Sequence, residues 1–156
     1  MSTNASLPEL EAIVRQFAGV EGGMLPALHA VQHHARYISK ELIPVFADVF
    51  NVTVSEVHGV ITFYKDFRTE EPAGPIVQVC RAEACQSVGA EMLADHAMTQ
   101  LGCGFNETTN DGSFTLEPVY CLGQCTCGPS MMIDDEVHAR VTPDKFNELL
   151  YTKRAA

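Results

Sequence analysis

The sequence predicts an α+β chain with two parts: a small N-terminal helical bundle followed by an α/β domain. Apolar residues in the first half recur at helical spacing, whereas the second half alternates short β-branched runs with helical segments. Between the halves, residues 70–75 carry two glutamates, two prolines and a glycine, a composition that is unfit for a helix interior. We therefore place the helical bundle at residues 1–72 and the second domain at residues 73–156.

The helical half is expected to contain four helices. The first follows Ser6, where Ser-Leu-Pro-Glu forms a capping box with proline near the first helical position. A second helix is expected to start around Pro26. The third starts either at Ser39, a good cap, or at Pro44, which is poorly suited to a helix interior. Thr53 opens the fourth helix with the capping box Thr-Val-Ser-Glu, and short helices this close in sequence pack as a bundle.

The C-terminal half is predicted to have the order β-α-β-β-β-α, which is small enough to be a thioredoxin-like layer. Its strands are expected at residues 76–79, 114–120, 130–133 and 137–141. Ser87 is placed as the cap of the helix after the first strand, and Thr142 begins the last helix. Pro118 lacks a backbone N–H, so it indicates a sheet edge or the end of its strand.

Charge and composition exclude several classes of partner. The 156 residues include 10 Lys and Arg against 20 Asp and Glu, a net charge of -10, which argues against nucleic acid or an anionic membrane surface. We find no secretory signal pattern at the N-terminus and no apolar run near the ~20 residues that span a bilayer. We therefore expect a cytoplasmic protein without membrane insertion, in which the six cysteines are metal ligands or reactive thiols rather than disulfides.

Two pairs of cysteines each follow a predicted strand. Cys80 and Cys85 follow the first strand, and Cys121 and Cys125 follow the second. If the strands are neighbours, the loops converge and bring four thiolates together, a set that suits a 2Fe-2S cluster or a structural zinc ion. The gaps of four and three residues are wider than the Cys-x2-Cys of zinc knuckles, and this favours the binuclear cluster.

Other candidate residues receive supporting roles or none. Gly123 and Gly128 would let backbone N–H groups approach the second pair of sulfurs closely. His29 and His33 have the i, i+4 spacing of a helical metal pair, but a zinc site needs further ligands, so we interpret them as solvated or hydrogen-bonding residues on a helix face. Cys103, which lies between two glycines, is interpreted as a small buried hydrophobic residue.

The segments around the cysteine pairs resemble a known family. The runs Val-Cys80-Arg-Ala-Glu-Ala-Cys85 and Tyr-Cys121-Leu-Gly-Gln-Cys125-Thr-Cys127-Gly-Pro are similar to the ligand segments of thioredoxin-like 2Fe-2S ferredoxin subunits of NADH-dehydrogenase-type assemblies. Such subunits occur in respiratory complex I, in NAD-linked soluble hydrogenases and in NAD-dependent molybdenum formate dehydrogenases. The runs Cys-Arg-Ala-Glu-Ala-Cys and Leu-Gly-Cys-Gly-Phe are most similar to the gamma subunit of soluble formate dehydrogenases.

The resemblance implies the residues of the site. It implies that Cys80, Cys85, Cys121 and Cys125 ligate a 2Fe-2S cluster, and no catalytic residue is assigned to this chain. Three residues would lie next to the cluster: Arg81, Gly123 and Cys127. Cys127 departs from the pattern of complex I members, which commonly have a non-thiol residue near this point. We interpret it as a spare thiol, with an exchange of the ligand role with Cys125 as the alternative.

The same resemblance implies a function. The chain would be the one-electron-transfer subunit of a soluble NAD-dependent formate dehydrogenase, with FMN, NAD and the molybdenum cofactor on partner subunits. No glycine-rich nucleotide fingerprint or P-loop occurs in this chain, which agrees with the placement of FMN and NAD on a partner subunit. The helical half is expected to dock that flavin- and NAD-binding partner. The alternatives are the equivalent subunit of complex I or of a NAD-reducing hydrogenase, and a zinc-stabilised interaction protein. A dithiol oxidoreductase is disfavoured, since no Cys-x-x-Cys opens a helix.

Overall fold

The computed structural model describes residues 6–154, and the chain divides into two compact units, Met1–Glu71 and Pro72–Ala156. The first unit consists of helices and the second contains a five-stranded sheet with flanking helices. Within residues 6–154, no helix is both long enough and apolar enough to cross a membrane.

The helices of the first unit begin near the residues that the capping signals indicate. They are α1 (Leu7–Arg15), α2 (Met24–Ala35), α3 (Ile43–Phe50) and α4 (Val54–Phe63). The backbone N–H of Ser6 donates to Glu9 Oε2 at 2.8 Å, and the backbone N–H of Thr53 donates to Glu56 Oε2 at 2.7 Å. Both capping boxes predicted from the sequence are therefore formed.

The third helix satisfies both of its predicted start signals. The Ser39 hydroxyl accepts the N–H of Glu41 at 3.3 Å and caps a short 3-10 turn, Lys40–Leu42. The α-helix then begins at Ile43, with Pro44 in its first turn, where a missing N–H leaves no helical bond unmade. The second helix begins two residues before the predicted Pro26.

The first unit has its own apolar core. One face of each helix contributes to it, and fully buried members include Val14, Leu28, Phe46 and Val57. This burial explains why four short helices, each marginal alone, are stable together.

The second unit alternates strands and helices around one sheet. In chain order, its elements are β1 (Ile76–Cys80), α5 (Glu83–Gln86), α6 (Ala90–Leu101), β2 (Glu107–Thr108), β3 (Thr115–Val119), β4 (Met131–Ile133), β5 (Glu136–His138) and α7 (Pro143–Arg154). The strand order is β2-β3-β1-β4-β5, with β1 and β3 parallel and the other pairs antiparallel. The fold class predicted from the sequence is thus confirmed, because a helical part precedes a small mixed α/β sheet.

Three details of the predicted order are wrong. Ser87 does not cap α6: it ends the short helix α5, and α6 begins after Gly89, which has a positive φ of 99°. The strand β2 was not predicted, because it has only two residues and both are exposed. The strand expected at residues 137–141 is shorter and is displaced towards the turn, ending at His138.

The core of the second unit lies against the sheet. All five residues of β1 are buried, and α6 packs on β1 and β3 while α7 packs on α6. The core also includes Leu116 of β3 and Phe146 of α7, both 0% exposed. Pro118 lies on β3 beyond Thr115 and Leu116, the residues of β3 that pair with β2, so its missing N–H breaks no sheet bond there.

Candidate metal centre

The two cysteine pairs lie at the same edge of the sheet. In the parallel pair of strands, Cys80 at the end of β1 is opposite Val119 at the end of β3, and Cys121 follows two residues later. Parallel strands bring their carboxyl ends to one edge, so the segments that follow them approach each other. The expectation that these two strands are neighbours is confirmed.

The first pair is buried. Cys80 and Cys85 are each 1% exposed and pack with Ala90 in a small apolar cluster. Cys85 is placed by α5, where its backbone N–H donates to the carbonyl oxygen of Ala82 at 2.9 Å. Ser130 closes the site from the opposite side: its Oγ lies 3.5 Å from Cys85 Sγ, and its carbonyl oxygen accepts the N–H of Cys80 at 3.0 Å.

The two buried thiols differ in acidity. Burial raises the pKa of Cys80, because a thiolate loses solvation in an apolar setting, and the neighbouring Cys85 adds to the effect. Burial also acts upward on Cys85, but hydrogen bonds from Ser130 and Cys80 outweigh it and lower the pKa of the Cys85 thiol. Within this pair, negative charge is therefore favoured on Cys85.

The second pair is exposed and is spaced for a metal ion. Cys121 Sγ and Cys125 Sγ lie 3.7 Å apart. Two sulfurs that are each about 2.3 Å from one tetrahedral metal ion are separated by about 3.8 Å. The hydrogen bond with Cys121 raises the pKa of Cys125, and repulsion between the two thiolates in the absence of a cation adds to the effect. This pair can therefore share one metal ion without rearrangement.

The backbone around the exposed pair has an unusual conformation. Gly123 has a φ of +74° and donates its N–H to Cys121 Sγ at 3.4 Å, which confirms the predicted approach of backbone to sulfur at this position. Cys121 itself has a φ of +146°, a region that residues with a Cβ rarely adopt. The loop is therefore held in a strained form that places the sulfur of Cys121 beside that of Cys125.

The donor set fits a binuclear cluster. The helix α5, which carries Cys85, contacts the 3-10 turn Cys125–Cys127, so the two pairs lie near each other. In agreement with this, the charges of Cys80 and Cys85 add to the raised pKa of Cys125. Among the side chains of residues 6–154, however, no group of three or more His, Cys, Asp or Glu is arranged around a single ion. Thiols that occur as two pairs suit a 2Fe-2S cluster, in which each iron takes two protein thiolates and sulfides bridge the irons.

Gly128 leaves room for the buried pair. A Cβ at this position would lie 2.8 Å from Val88 Cγ2 and 3.3 Å from Cys85 Sγ. The first distance is shorter than real carbon contacts allow, so a side chain here would push on Val88, which follows α5, and would crowd Cys85 Sγ. The close approach at Gly128 is therefore to Cys85 of the buried pair and not, as predicted, to the sulfurs of Cys121 and Cys125.

The other predicted neighbours have contacts of their own. The guanidinium of Arg81 lies over the Phe105 ring, 5.2 Å from its centroid, in a cation–π contact. Cys127 lies in a 3-10 turn, Cys125–Cys127, with its Sγ 3.7 Å from Thr126 Oγ1 and 4.0 Å from Arg140 Nη2. The structure thus associates Cys127 with Arg140, and its interpretation as a spare thiol stays a prediction.

The contacts described for the remaining candidates, Cys103 and His29, are with residues outside the two thiol pairs. Cys103 is partly buried against the core of the sheet, and burial together with the charge of Glu107 raises its pKa. The His29 ring packs on Phe67 in the first unit, with 4.8 Å between the ring centroids. Sequence reasoning missed Ser130 and Arg140, because a serine before a strand and an arginine after one carry no spacing signal.

Comparisons with known proteins agree on one family. The family model described as "Thioredoxin-like [2Fe-2S] ferredoxin" matches residues 10–154. One subunit of the NADH-quinone oxidoreductase of Pseudomonas aeruginosa is 35% identical over 141 residues, which cover 90% of this chain and 85% of that protein. The corresponding NADH-quinone oxidoreductase subunit of Escherichia coli is 34% identical over 148 residues (93% and 89%), and that of Aquifex aeolicus is 30% identical over 142 residues (91% and 89%).

The fold also has a solved counterpart. The crystal structure of a NAD+-reducing [NiFe]-hydrogenase in the H2-reduced state contains a similar region, with a TM-score of 0.73 and 17% sequence identity. The match covers 85% of this chain and 22% of the hydrogenase chain, so this chain corresponds to about a fifth of that chain. At this level of identity, the likeness shows the fold.

Proposed function

This chain belongs to the thioredoxin-like [2Fe-2S] ferredoxin family, and we propose that it is the one-electron-transfer subunit of an NAD-linked oxidoreductase assembly. The cofactor of the family is a 2Fe-2S cluster, which accepts and donates single electrons when bound. The residues that would hold it are Cys80, Cys85, Cys121 and Cys125. The observation that carries the proposal is their arrangement as one buried and one exposed thiol pair at a single sheet edge.

The asymmetry of the two pairs supports electron transfer. The buried pair, enclosed by Ala90 and Ser130, keeps water from one side of the site and fixes the sulfurs. The exposed pair leaves Cys121 and Cys125 at the surface, where a partner can approach. The Gly123 N–H aimed at Cys121 offsets part of the negative charge that reduction adds, whereas the net charge of -10 opposes reduction and lowers the potential.

Spectroscopy on ligand variants tests the site. Anaerobically reduced wild-type protein should give a rhombic one-electron EPR signal, together with stoichiometric iron. The signal should be lost or strongly altered in each of four variants: Cys80→Ser, Cys85→Ser, Cys121→Ser and Cys125→Ser. Cys103→Ser is the matched control and should keep the signal, and Cys127→Ser should keep it if Cys127 is a spare thiol. Stoichiometric zinc without an EPR signal would contradict the proposal and favour a zinc-stabilised interaction protein.

Within this function, the proposed parent assembly is a soluble NAD-dependent formate dehydrogenase. The resemblance of the segments around Cys85 and Cys103 to its gamma subunit supports this choice. FMN and NAD would then lie on one partner subunit and the molybdenum cofactor on another. The alternatives are the equivalent subunits of complex I and of a NAD-reducing hydrogenase. The similar proteins support these alternatives, because they include a NADH-quinone oxidoreductase subunit and a NAD+-reducing hydrogenase.

Purification of the tagged chain from its own cells distinguishes these assemblies. Formate-dependent NAD+ reduction by the purified assembly, with stoichiometric molybdenum, is the expected result. An assembly without molybdenum that oxidises NADH with quinone, or H2 with NAD+, would replace the formate dehydrogenase proposal with one of the alternatives.

The helical unit is proposed to dock the flavin-bearing partner. It has an apolar cavity of about 380 Å³ lined by residues that include Val20, Met24 and Tyr64. Phe63, at the end of α4, is 78% exposed and its ring contacts that of Tyr64, so the two rings extend the apolar surface beside the cavity, and a contiguous exposed apolar surface is typical of an interaction site. Phe63→Ser should reduce the amount of partner that co-purifies while leaving the iron content unchanged, and loss of iron without loss of partner would contradict this role.

A further inference from the structure

We propose that Ser130 is a positioning residue whose buried hydroxyl raises the reduction potential of the cluster by hydrogen bonding to the sulfur of Cys85. This inference rests on the proposed function, because it concerns the same site.

Ser130 reaches both members of the buried pair from a distant part of the chain. It directly precedes β4, the antiparallel neighbour of β1, and is 45 residues from Cys85. Its Oγ lies 3.5 Å from Cys85 Sγ, and its carbonyl oxygen accepts the N–H of Cys80 at 3.0 Å. Ser130, immediately before β4, therefore positions both the sulfur of Cys85 and the backbone of Cys80.

The direction of the hydroxyl bond follows from the chemistry of a ligand sulfur. Between a serine and a free thiol, either group can donate the proton. A sulfur that binds a metal ion is a thiolate and has no proton, so the serine O–H must donate to it. Ser130 is 0% exposed, so water does not compete for this bond, and a hydrogen bond to a charged acceptor is stronger under those conditions.

A donor at this position acts more strongly on the reduced site than on the oxidised one. The reduced site carries one more negative charge, part of which is spread over the ligand sulfurs. A hydrogen bond to Cys85 therefore stabilises the reduced form more and raises the potential. The electron comes from an external one-electron reductant, and Ser130 keeps its proton throughout, because it shares the proton without transferring it.

Ser130 differs from the other donor at the site because its contribution can be removed. The N–H of Gly123 serves the exposed pair, but it belongs to the backbone and persists in any substitution other than proline. The hydroxyl of Ser130 serves the buried pair and is absent in Ser130→Ala. The alanine variant keeps the backbone carbonyl that accepts the Cys80 N–H, so the supporting backbone bond is unchanged.

Redox titration of the full chain tests the inference. The cluster-loaded protein is titrated anaerobically with dithionite, and the reduced fraction is followed by EPR. At any fixed potential, Ser130→Ala should lower the ratio of reduced to oxidised protein by about tenfold, which is ~59 mV for a one-electron couple. Iron content and the shape of the signal should stay close to those of the wild type.

A second pair of variants distinguishes the effect of the Ser130 hydroxyl on the potential from the effect of side-chain packing. Thr and Val have nearly the same shape, so Ser130→Thr should keep a potential near that of the wild type while Ser130→Val shifts in the direction of Ser130→Ala. Ser87→Ala is the matched control: the Ser87 hydroxyl donates to the Ala84 carbonyl at 2.9 Å, and its loss should leave the potential unchanged.

Each outcome decides the question. Equal potentials for wild type and Ser130→Ala at equal iron content, or equal potentials for the Thr and Val variants, would overturn the role of Ser130 alone. A wild-type protein that holds zinc and gives no EPR signal would overturn the proposed function, and the role of Ser130 with it.

Discussion

The positive φ of Cys121 predicts that glycine is more stabilising than alanine at this position. In most exposed positions the reverse holds, because glycine loses more backbone freedom on folding, by about 0.4–1 kcal/mol. At Cys121 the φ of +146° places a residue with a Cβ in a sparsely populated region, which costs about 1–3 kcal/mol. Cys121 is exposed, so truncation of its side chain leaves no buried cavity. With about 2 kcal/mol of strain set against about 0.7 kcal/mol of backbone freedom, the balance is about 1.3 kcal/mol in favour of Cys121→Gly over Cys121→Ala, and the two ranges together span about 0–2.6 kcal/mol.

The measurement compares the two variants with metal removed. Both lack the thiol, so a difference in cluster binding does not enter. Urea unfolding followed by far-UV circular dichroism gives the free energy of unfolding, and hydrogen exchange of peptides from β1 and β3 assigns the difference to the second unit. The chain has no tryptophan, so circular dichroism is preferred to intrinsic fluorescence.

Cys125 provides the matched control for this prediction. It is also exposed and also belongs to the thiol pair, but it lies in a 3-10 turn, where φ is negative. Cys125→Gly should therefore be less stable than Cys125→Ala, by about 0.4–1 kcal/mol. If alanine equals or exceeds glycine in stability at Cys121 as it does at Cys125, the strain argument is refuted.

Three further predictions concern packing, capping and the room beside the buried pair. Gly128→Ala should lower both iron retention and the free energy of unfolding, the latter by about 1–3 kcal/mol, because its Cβ would overlap Val88; Gly59→Ala, whose Cβ would meet nothing within 4 Å, should keep its iron in the same elemental analysis. Leu116→Ala should cost about 2–5 kcal/mol in urea unfolding, because this side chain is 0% exposed, and a loss below about 1 kcal/mol would contradict the packing described for β3. Hydrogen bonding by the Thr53 backbone lowers the pKa of Glu56 below its ordinary 4.5, so the stabilisation that Glu56 gives is complete above the unfolded-state pKa and is lost as pH falls through the folded-state pKa. Thermal midpoints measured against pH should therefore show wild type above Glu56→Gln at pH 7 and the two converging in acid, and a constant gap would contradict the assignment.

The helices whose starts are predicted correctly have capping residues that lie within a few positions of each other in the sequence. Thr53 and Glu56 meet through a capping box, so four residues of sequence contain the whole interaction. The prediction for Ser87 is wrong because serine is a common helix cap, so its position alone indicates a helix start. The helix α6 instead begins after Gly89, whose positive φ is a conformation that glycine adopts readily. The strand β2 was missed because a pair of exposed residues becomes a strand only through its partner β3.

In the site, too, features that depend on neighbouring residues can be predicted, and contacts between distant segments cannot. The spacing of the cysteines indicates two pairs, and the strand endings indicate that they meet. The contact between Ser130 and Cys85 spans 45 residues and depends on the antiparallel register of β4 against β1, which no local pattern contains. The positive φ of Cys121 likewise has no signal in the sequence, because this backbone region is rarely occupied by a residue with a Cβ.

The crossover between the two parallel strands links the site to the folding of the second unit. Parallel strands require a long connection, and here it contains α5, which carries Cys85, and α6, which packs on β1 and β3. The two thiol pairs can therefore approach each other only after the crossover has returned the chain to β1. It follows that a core substitution such as Leu116→Ala, which touches no sulfur, should weaken cluster retention in proportion to its loss of stability. Gly128→Ala should weaken retention by more than its loss of stability accounts for, because the added Cβ also crowds Val88 and the sulfur of Cys85. A plot of iron retention against the free energy of unfolding for the two variants would separate a site that merely depends on the fold from one that is also shaped locally by Gly128.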